Sequence, residues 1–205
     1  MAKYVLTYFD ARGRAEPARM IFAVAGIPFE DRRIKQEDWS VFKSQTPAGS
    51  LPILEKDGQT ITQSLVIYRH LARSFGLDGE TILDKARVEE ILEYLIEVKT
   101  AWSEIAFGPQ DEESQEKIKE NYKLALDKKC TQIERIMSYS ESPEGWAVGK
   151  RMSFADIMLF EAFEEIVAQS PSALDNFPKI KSCRQKLEAN KNLKIYLSKR
   201  KHTRF

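Results

Sequence analysis

Gly49-Ser50-Leu51-Pro52-Ile53-Leu54, then Asp57-Gly58, then Gln63-Ser64 is the stretch on which the reading of this chain turns. A proline opens an apolar run, and Asp57-Gly58 is a strong tight-turn signal between Ile53-Leu54-Glu55-Lys56 and Gln59-Thr60-Ile61-Thr62. The segment is therefore a β-hairpin running into a helix that begins near Gln63-Ser64. Two of its features read two ways. A cis Leu51-Pro52 bond would turn the Leu51 N–H and C=O outward, where an extended peptide can pair with them as an added strand. Equally, Pro52 merely starts an edge strand. The helix N-terminus at Gln63-Ser64 offers unpaired N–H groups and positive partial charge to a carboxylate, or Ser64 simply caps its own helix.

Working outward, Tyr4 to Phe9 is rich in β-formers. Arg14 to Ala25 reads as a helix that tolerates Pro17 in its first turn and stops at Gly26. Pro28 to Ile34 is a second strand, a loop with Trp39 follows, and Leu65 to Phe75 closes the unit as a helix. Strands joined through a helix are parallel, and the hairpin adds antiparallel ones. Beyond Gly76-Leu77-Asp78-Gly79 the pattern is helical. Val88, Ile91, Leu92, Leu95, Val98, Trp102 and Ile105 step by three and four up to Gly108-Pro109. Further helices are expected over Ile118–Met137, Phe154–Val167 behind a Ser153-x-x-Asp156 capping box, and Pro178–Ala189. The expected division is 1–75, a linker 76–80 and an all-helical 81–205.

Lys+Arg number 32 and Asp+Glu 31, for a net charge of +1, so no basic excess points to nucleic acid. No apolar run approaches the ~20 residues of a spanning helix, and Tyr4–Phe9 is too short for a signal sequence. Cys130 and Cys183 form no Cys-x-x-Cys pair, which argues against a redox dithiol or zinc knuckle. Cys130 lies on the stripe Leu126, Cys130, Ile133, Met137 and reads as a buried thiol. A cytoplasmic, reducing setting is expected.

The chemistry-bearing candidates gather in the first 75 residues. Tyr8 ends the first strand and Arg14 follows it. A phenol can donate a hydrogen bond to an anion, and a thiolate so stabilised forms below its reference pKa of ~8.5. The plain alternative is a strand-end tyrosine beside a solvated arginine. Trp39 and Lys43, four apart, could hold a second carboxylate, or be a packing indole beside an exposed lysine.

Tyr8-Phe9, Arg12-Gly13-Arg14-Ala15-Glu16, Trp39, Lys43, Leu51-Pro52-Ile53-Leu54, Gln63-Ser64 and Ser153-Phe154-Ala155-Asp156 together resemble the cytosolic glutathione S-transferases, over essentially the full length. Within that family they are similar to the sigma class, which includes haematopoietic prostaglandin D synthases. The resemblance implies an α/β thioredoxin-like domain, then an all-α domain, in a cytoplasmic homodimer without nucleic-acid or membrane partners. Tyr8, supported by Arg14, would hold the glutathione thiolate. Trp39 and Lys43 would meet the glycyl end. Gly49, Ser50 and Leu51, before a cis Pro52, would line the cysteinyl backbone, and Gln63 and Ser64 the γ-glutamyl carboxylate. Glu97 of the other subunit would approach the γ-glutamyl ammonium. The prostaglandin synthases carry an adjacent aspartate pair there that helps bind a metal. This chain has Ile96-Glu97, so no metal is expected. Phe9, Gly13, Trp102 and Met158 are candidates for a second-substrate pocket, Met158 reading equally as core.

The implied activity is conjugation of glutathione to hydrophobic electrophiles, as in detoxification, with glutathione-dependent peroxidase activity a further expectation. Isomerisation of prostaglandin H2 to D2, and non-catalytic carriage of haem or other large apolar ligands, are the alternatives.

Overall fold

The computed structural model describes residues 3–140 and 142–203. Contacts divide the chain into two units. One runs to Leu77 and takes in the stretch from Ala189 onward; the other is Asp78–Glu188.

The first unit is built on a four-stranded sheet ordered β2-β1-β3-β4, with β1 Tyr4–Phe9, β2 Glu30–Ile34, β3 Ile53–Lys56 and β4 Gln59–Thr62. β1 pairs parallel with β2, Tyr8 opposite Arg33, and antiparallel with β3, Thr7 opposite Ile53. The hairpin turns at Asp57-Gly58, as its residues demand, both with positive φ. Between the two parallel strands runs α1, Glu16–Ala25, preceded by a 3₁₀ turn over Gly13–Ala15. Pro17 sits in its first turn and Gly26 ends it in the left-handed conformation (φ 67°). A short α2, Trp39–Lys43, and α3, Ser64–Ser74, complete the expected thioredoxin-like order. Leu6, Ile21, Phe22, Leu54, Ile67 and Leu71 form its core, all without exposed surface.

The second unit holds α4 (Ile82–Phe107), α5 (Glu112–Tyr139), α6 (Phe154–Ala162), α7 (Glu164–Gln169) and α8 (Pro178–Glu188). α4 starts a turn and a half before the apolar stripe, at a Thr81/Asp84 capping box. α5 starts before its stripe too, where Asp111 caps the Ser114 N–H (2.9 Å). The Ser153/Asp156 box opens α6 as read. Burial pushes the Asp156 carboxyl up, against donors from Cys183, Ala147 and Ser153 that pull it down. Cys130 and Cys183 are free and buried in this core.

Three further features differ from expectation. The single helix expected over 154–167 breaks at Phe163 (φ −103°, ψ 5°). Arg184 takes the Phe160 carbonyl, the acceptor the next turn would need, and lays its guanidinium 4.4 Å from the Phe160 ring centre. A further helix, α9 (Lys191–Lys199), follows α8 behind an Asn190 cap that accepts from the Asn192 and Leu193 N–H groups. Finally, residues 189–203 group by their contacts with the first unit, while the all-helical domain expected from the sequence runs through 205. Leu193 on α9 is fully buried, and Asn192 donates to the Val24 carbonyl of α1 (3.4 Å).

Candidate active site

Tyr8 leaves the end of β1 half-buried, its ring edge-on to Phe9 (5.5 Å between centres). Its hydroxyl is located by the loop that follows. The Arg14 N–H donates to Tyr8 Oη (3.2 Å). With the oxygen's lone pair engaged from behind, the hydroxyl hydrogen donates to no partner among the described residues and is available to an anion. Gly13 makes this arrangement sterically possible. Its φ is +41°, and a Cβ there would lie 2.7 Å from Tyr8 Oη. The Arg14 carbonyl is held in turn by Tyr68 Oη of α3, so the two successive peptide groups that flank the Arg14 Cα are both anchored. The Arg14 side chain is exposed.

Beside Tyr8, Phe9 meets Trp39 edge-on (5.3 Å), which brings the start of α2 to the same end of the sheet. Lys43 closes α2 with its carbonyl accepting from Thr46, and its side-chain stem lies by Gly49, whose φ is +60°. Ser50 and Leu51 are half-buried and Pro52 is buried. The Leu51-Pro52 bond is cis. Among the described residues the Leu51 main chain has no hydrogen-bond partner, which leaves it available to an extended peptide.

Ser64 does not cap its helix. Gln63 holds the cap position with φ 72° and ψ 116°, and no side chain caps the N-terminus of α3. The first ladder bond runs from the Ile67 N–H to the Gln63 carbonyl, so the N–H groups before it are open to an anion. A non-glycine residue at that φ costs on the order of 1–3 kcal/mol and marks a site where geometry is imposed.

The remaining candidates belong to the second unit. Trp102 is half-buried on α4, and Met158, 1% exposed, is core of the second unit and offers a ligand no surface. Glu97 pairs with Lys129 (2.6 Å) while keeping 57% of its side chain exposed. No group of three His, Cys, Asp or Glu side chains arranged for a metal exists among the described residues. No described helix is long and apolar enough to cross a membrane.

Sequence reasoning passed over Tyr68 and the buried Glu16–Arg19 pair. Tyr68 carries no local signal. The pair does: two opposite charges three apart in the apolar run Glu-Pro-Ala-Arg-Met-Ile-Phe-Ala-Val-Ala imply burial together.

Residues 4–73 match the glutathione S-transferase N-terminal domain, and 96–200 match the C-terminal domain. Glutathione S-transferase 1 of Ascaris suum is 35% identical, with 99% of each chain covered. The hematopoietic prostaglandin D synthase of Gallus gallus is 32% identical, again over 99% of each. Among solved structures, a monomeric glutathione S-transferase of the hookworm Necator americanus superposes with a TM-score of 0.88 at 33% identity, covering 99% of this chain and 100% of that one. A Nu-class enzyme of Haemonchus contortus gives 0.85 at 33%, covering 100% of both. The chain belongs to the glutathione S-transferase family. Its co-substrate is glutathione and its activity glutathione transfer.

Proposed function

We propose that Tyr8 donates its hydroxyl hydrogen to the sulfur of bound glutathione, holds it as thiolate, and so drives attack on hydrophobic electrophiles. The Arg14 N–H on Tyr8 Oη is the observation that carries this reading. It holds the phenol oxygen from the loop side and leaves the hydroxyl hydrogen to donate to the sulfur. In conjugation the sulfur forms a bond to an electrophilic carbon as a halide leaves, or adds to an unsaturated carbonyl. With a hydroperoxide the same thiolate would attack the outer oxygen, breaking the O–O bond and releasing the alkoxide, which takes up a proton as the alcohol; the glutathione sulfenic acid so formed would condense with a second glutathione to the disulfide and water. Trp39 and Lys43 would take the glycyl carboxylate, Gly49, Ser50 and Leu51 the cysteinyl backbone, and Gln63, Ser64 and the open start of α3 the γ-glutamyl carboxylate. Phe9 and Gly13, beside the phenol, would face the electrophile.

Tyr8→Phe is expected to lower kcat/KM by ~100-fold, about 2.7 kcal/mol, with glutathione affinity within about twofold. Steady-state kinetics beside calorimetric titration measures both; unchanged turnover overturns the assignment.

The oligomer in this reading is a homodimer in which Glu97 of one copy meets the γ-glutamyl ammonium bound to the other. Its class lies between two sets of relatives, the nematode enzymes and the sigma-type prostaglandin synthases. The full-length likeness to the Gallus gallus protein supports a second reading: isomerisation of prostaglandin H2 to D2 with glutathione regenerated. Product analysis with that endoperoxide separates the two.

A further inference from the structure

The loop that aims Tyr8 is itself held from the far end of the chain. Arg19, without exposed surface, donates from Nη1 to the carbonyls of Ala11 (2.8 Å) and Arg12 (3.3 Å) and to Glu16 Oε2 (3.2 Å). Its Nε donates to Asp31 Oδ1 (3.0 Å), and Asp31 Oδ2 takes Arg33, which also reaches Asp10. Glu16, 1% exposed, turns its other oxygen the opposite way. Oε1 accepts from Tyr196 Oη (2.8 Å) and from Arg200 Nη1 (3.0 Å). Three residues on, Thr203 Oγ1 accepts the Arg12 N–H (3.3 Å), and Lys201 faces Asp10 (3.4 Å).

A buried ion pair is weak evidence for stability, since apolar residues of the same volume often do as well. Its better-attested use is to fix one geometry. Here the pair bears on the loop through two atoms: Arg19 Nη1 holds its carbonyls, and Glu16 Oε1 holds the residues that bridge from the C-terminal stretch, while Arg19 Nη2 is buried without a partner among the described residues. The bonds are charge-assisted and largely shielded from water, so they hold direction as well as distance. The backbone of Arg12, anchored by Thr203 at its N–H and by Arg19 at its carbonyl, leads directly into Gly13 and Arg14. A small displacement there would move the Arg14 N–H off Tyr8 Oη.

We infer that Tyr196, Arg200 and Thr203 are positioning residues for the thiolate site, acting through Glu16, Arg19 and the 11–14 loop. The inference rests on Tyr8 being the group that holds the thiolate. None of the three touches glutathione; they determine where the phenol points. The chemistry of the first unit then depends on a stretch some 190 residues away in sequence.

The test is an ultraviolet titration of the thiolate of bound glutathione, with its dissociation constant and the near-ultraviolet circular dichroism of each variant. The variants are Arg200→Gln with Thr203→Val, the conservative Arg200→Lys with Thr203→Ser, the milder Tyr196→Phe, Tyr8→Phe as reference, and Ser198→Ala as control. In the first double variant and in Tyr196→Phe the thiol midpoint is expected to rise by about half a unit to one unit, that is ~3–10-fold less thiolate below the midpoint. Glutathione affinity should stay within about twofold, the conservative pair should restore the midpoint, and Ser198→Ala should not move it. A raised midpoint in Tyr8→Phe with an unmoved one in both C-terminal variants overturns the inference alone. An unmoved midpoint in Tyr8→Phe overturns the assignment of Tyr8 and the inference with it. Should the double variant not fold, Tyr196→Phe, which removes one hydroxyl, gives the decision.

Discussion

At the scale of single residues, Gly13 and Gln63 make the same point from opposite directions. Gly13 stands where any side chain would collide with the phenol: φ is +41° and the nearest approach 2.7 Å. Gly13→Ala is expected to displace Tyr8 and cut kcat/KM by about tenfold or more, roughly 1.4 kcal/mol, with glutathione affinity nearly kept. Kinetics beside a binding titration would show it, and a fully active Gly13→Ala would mean the phenol has room to move. Gln63 is the reverse case, a side chain retained at φ 72° where glycine would be at ease. Gln63→Gly is expected to raise stability by about 1 kcal/mol, strain relieved less the extra freedom of the unfolded chain. Glutathione affinity should fall at the same time. Thermal melts with and without glutathione test the two signs together, and a loss of stability would remove strain as the explanation.

At the scale of elements, α3 and the α5–α8 core show how helices divide the work. α3 presents an uncapped N-terminus at one end and, a turn further along, Tyr68 on the Arg14 carbonyl. The carboxylate anchor and the thiolate loop are thereby carried by one rigid element. Among the helices of the second unit the buried groups serve packing. Burial, with Asp127 and Glu134 nearby, pushes the Cys130 thiol up to about 12, and burial beside Asp156 raises Cys183 as well. The thiolate is the reactive form, so both cysteines stay protonated and inert at neutral and mildly alkaline pH. Ellman's reagent at pH ~8 is expected to label neither in the folded protein and both in denaturant. Rapid labelling of the native chain would show that this core opens.

At the scale of the whole molecule, the proposed homodimer makes the site depend on concentration. If Glu97 of the partner completes the γ-glutamyl subsite, Glu97→Gln should weaken glutathione binding about three- to tenfold and leave kcat nearly unchanged. Dilution below the dimer's dissociation should do likewise, measured by sedimentation beside activity. A protein that keeps full affinity as a monomer would set that role aside. The monomeric Necator americanus relative makes the measurement pointed.

Much of this was legible in the residues themselves. Hydrophobic period, the Asp57-Gly58 turn, Pro17 and Gly26 at the ends of α1, and the Ser153/Asp156 box are local signals, each set by chemistry within a few positions, so the element order and sheet pairing could be read from them. Tyr8, Arg14, Trp39, Lys43 and Gln63-Ser64 were visible as types of residue, and the family resemblance assigned them roles. What tertiary structure alone decided involves partners far apart in sequence. Arg184 takes the Phe160 carbonyl from 24 positions away, where the helix then breaks at Phe163; Glu16 meets Tyr196 and Arg200 across 180 and 184. The stretch after Ala189 packs with the first unit through its hydrogen bonds to Arg12, Glu16 and Val24 and its one buried leucine, Leu193. No local preference encodes such a pairing, since each group finds its partner only when the chain has closed and water has been excluded around it.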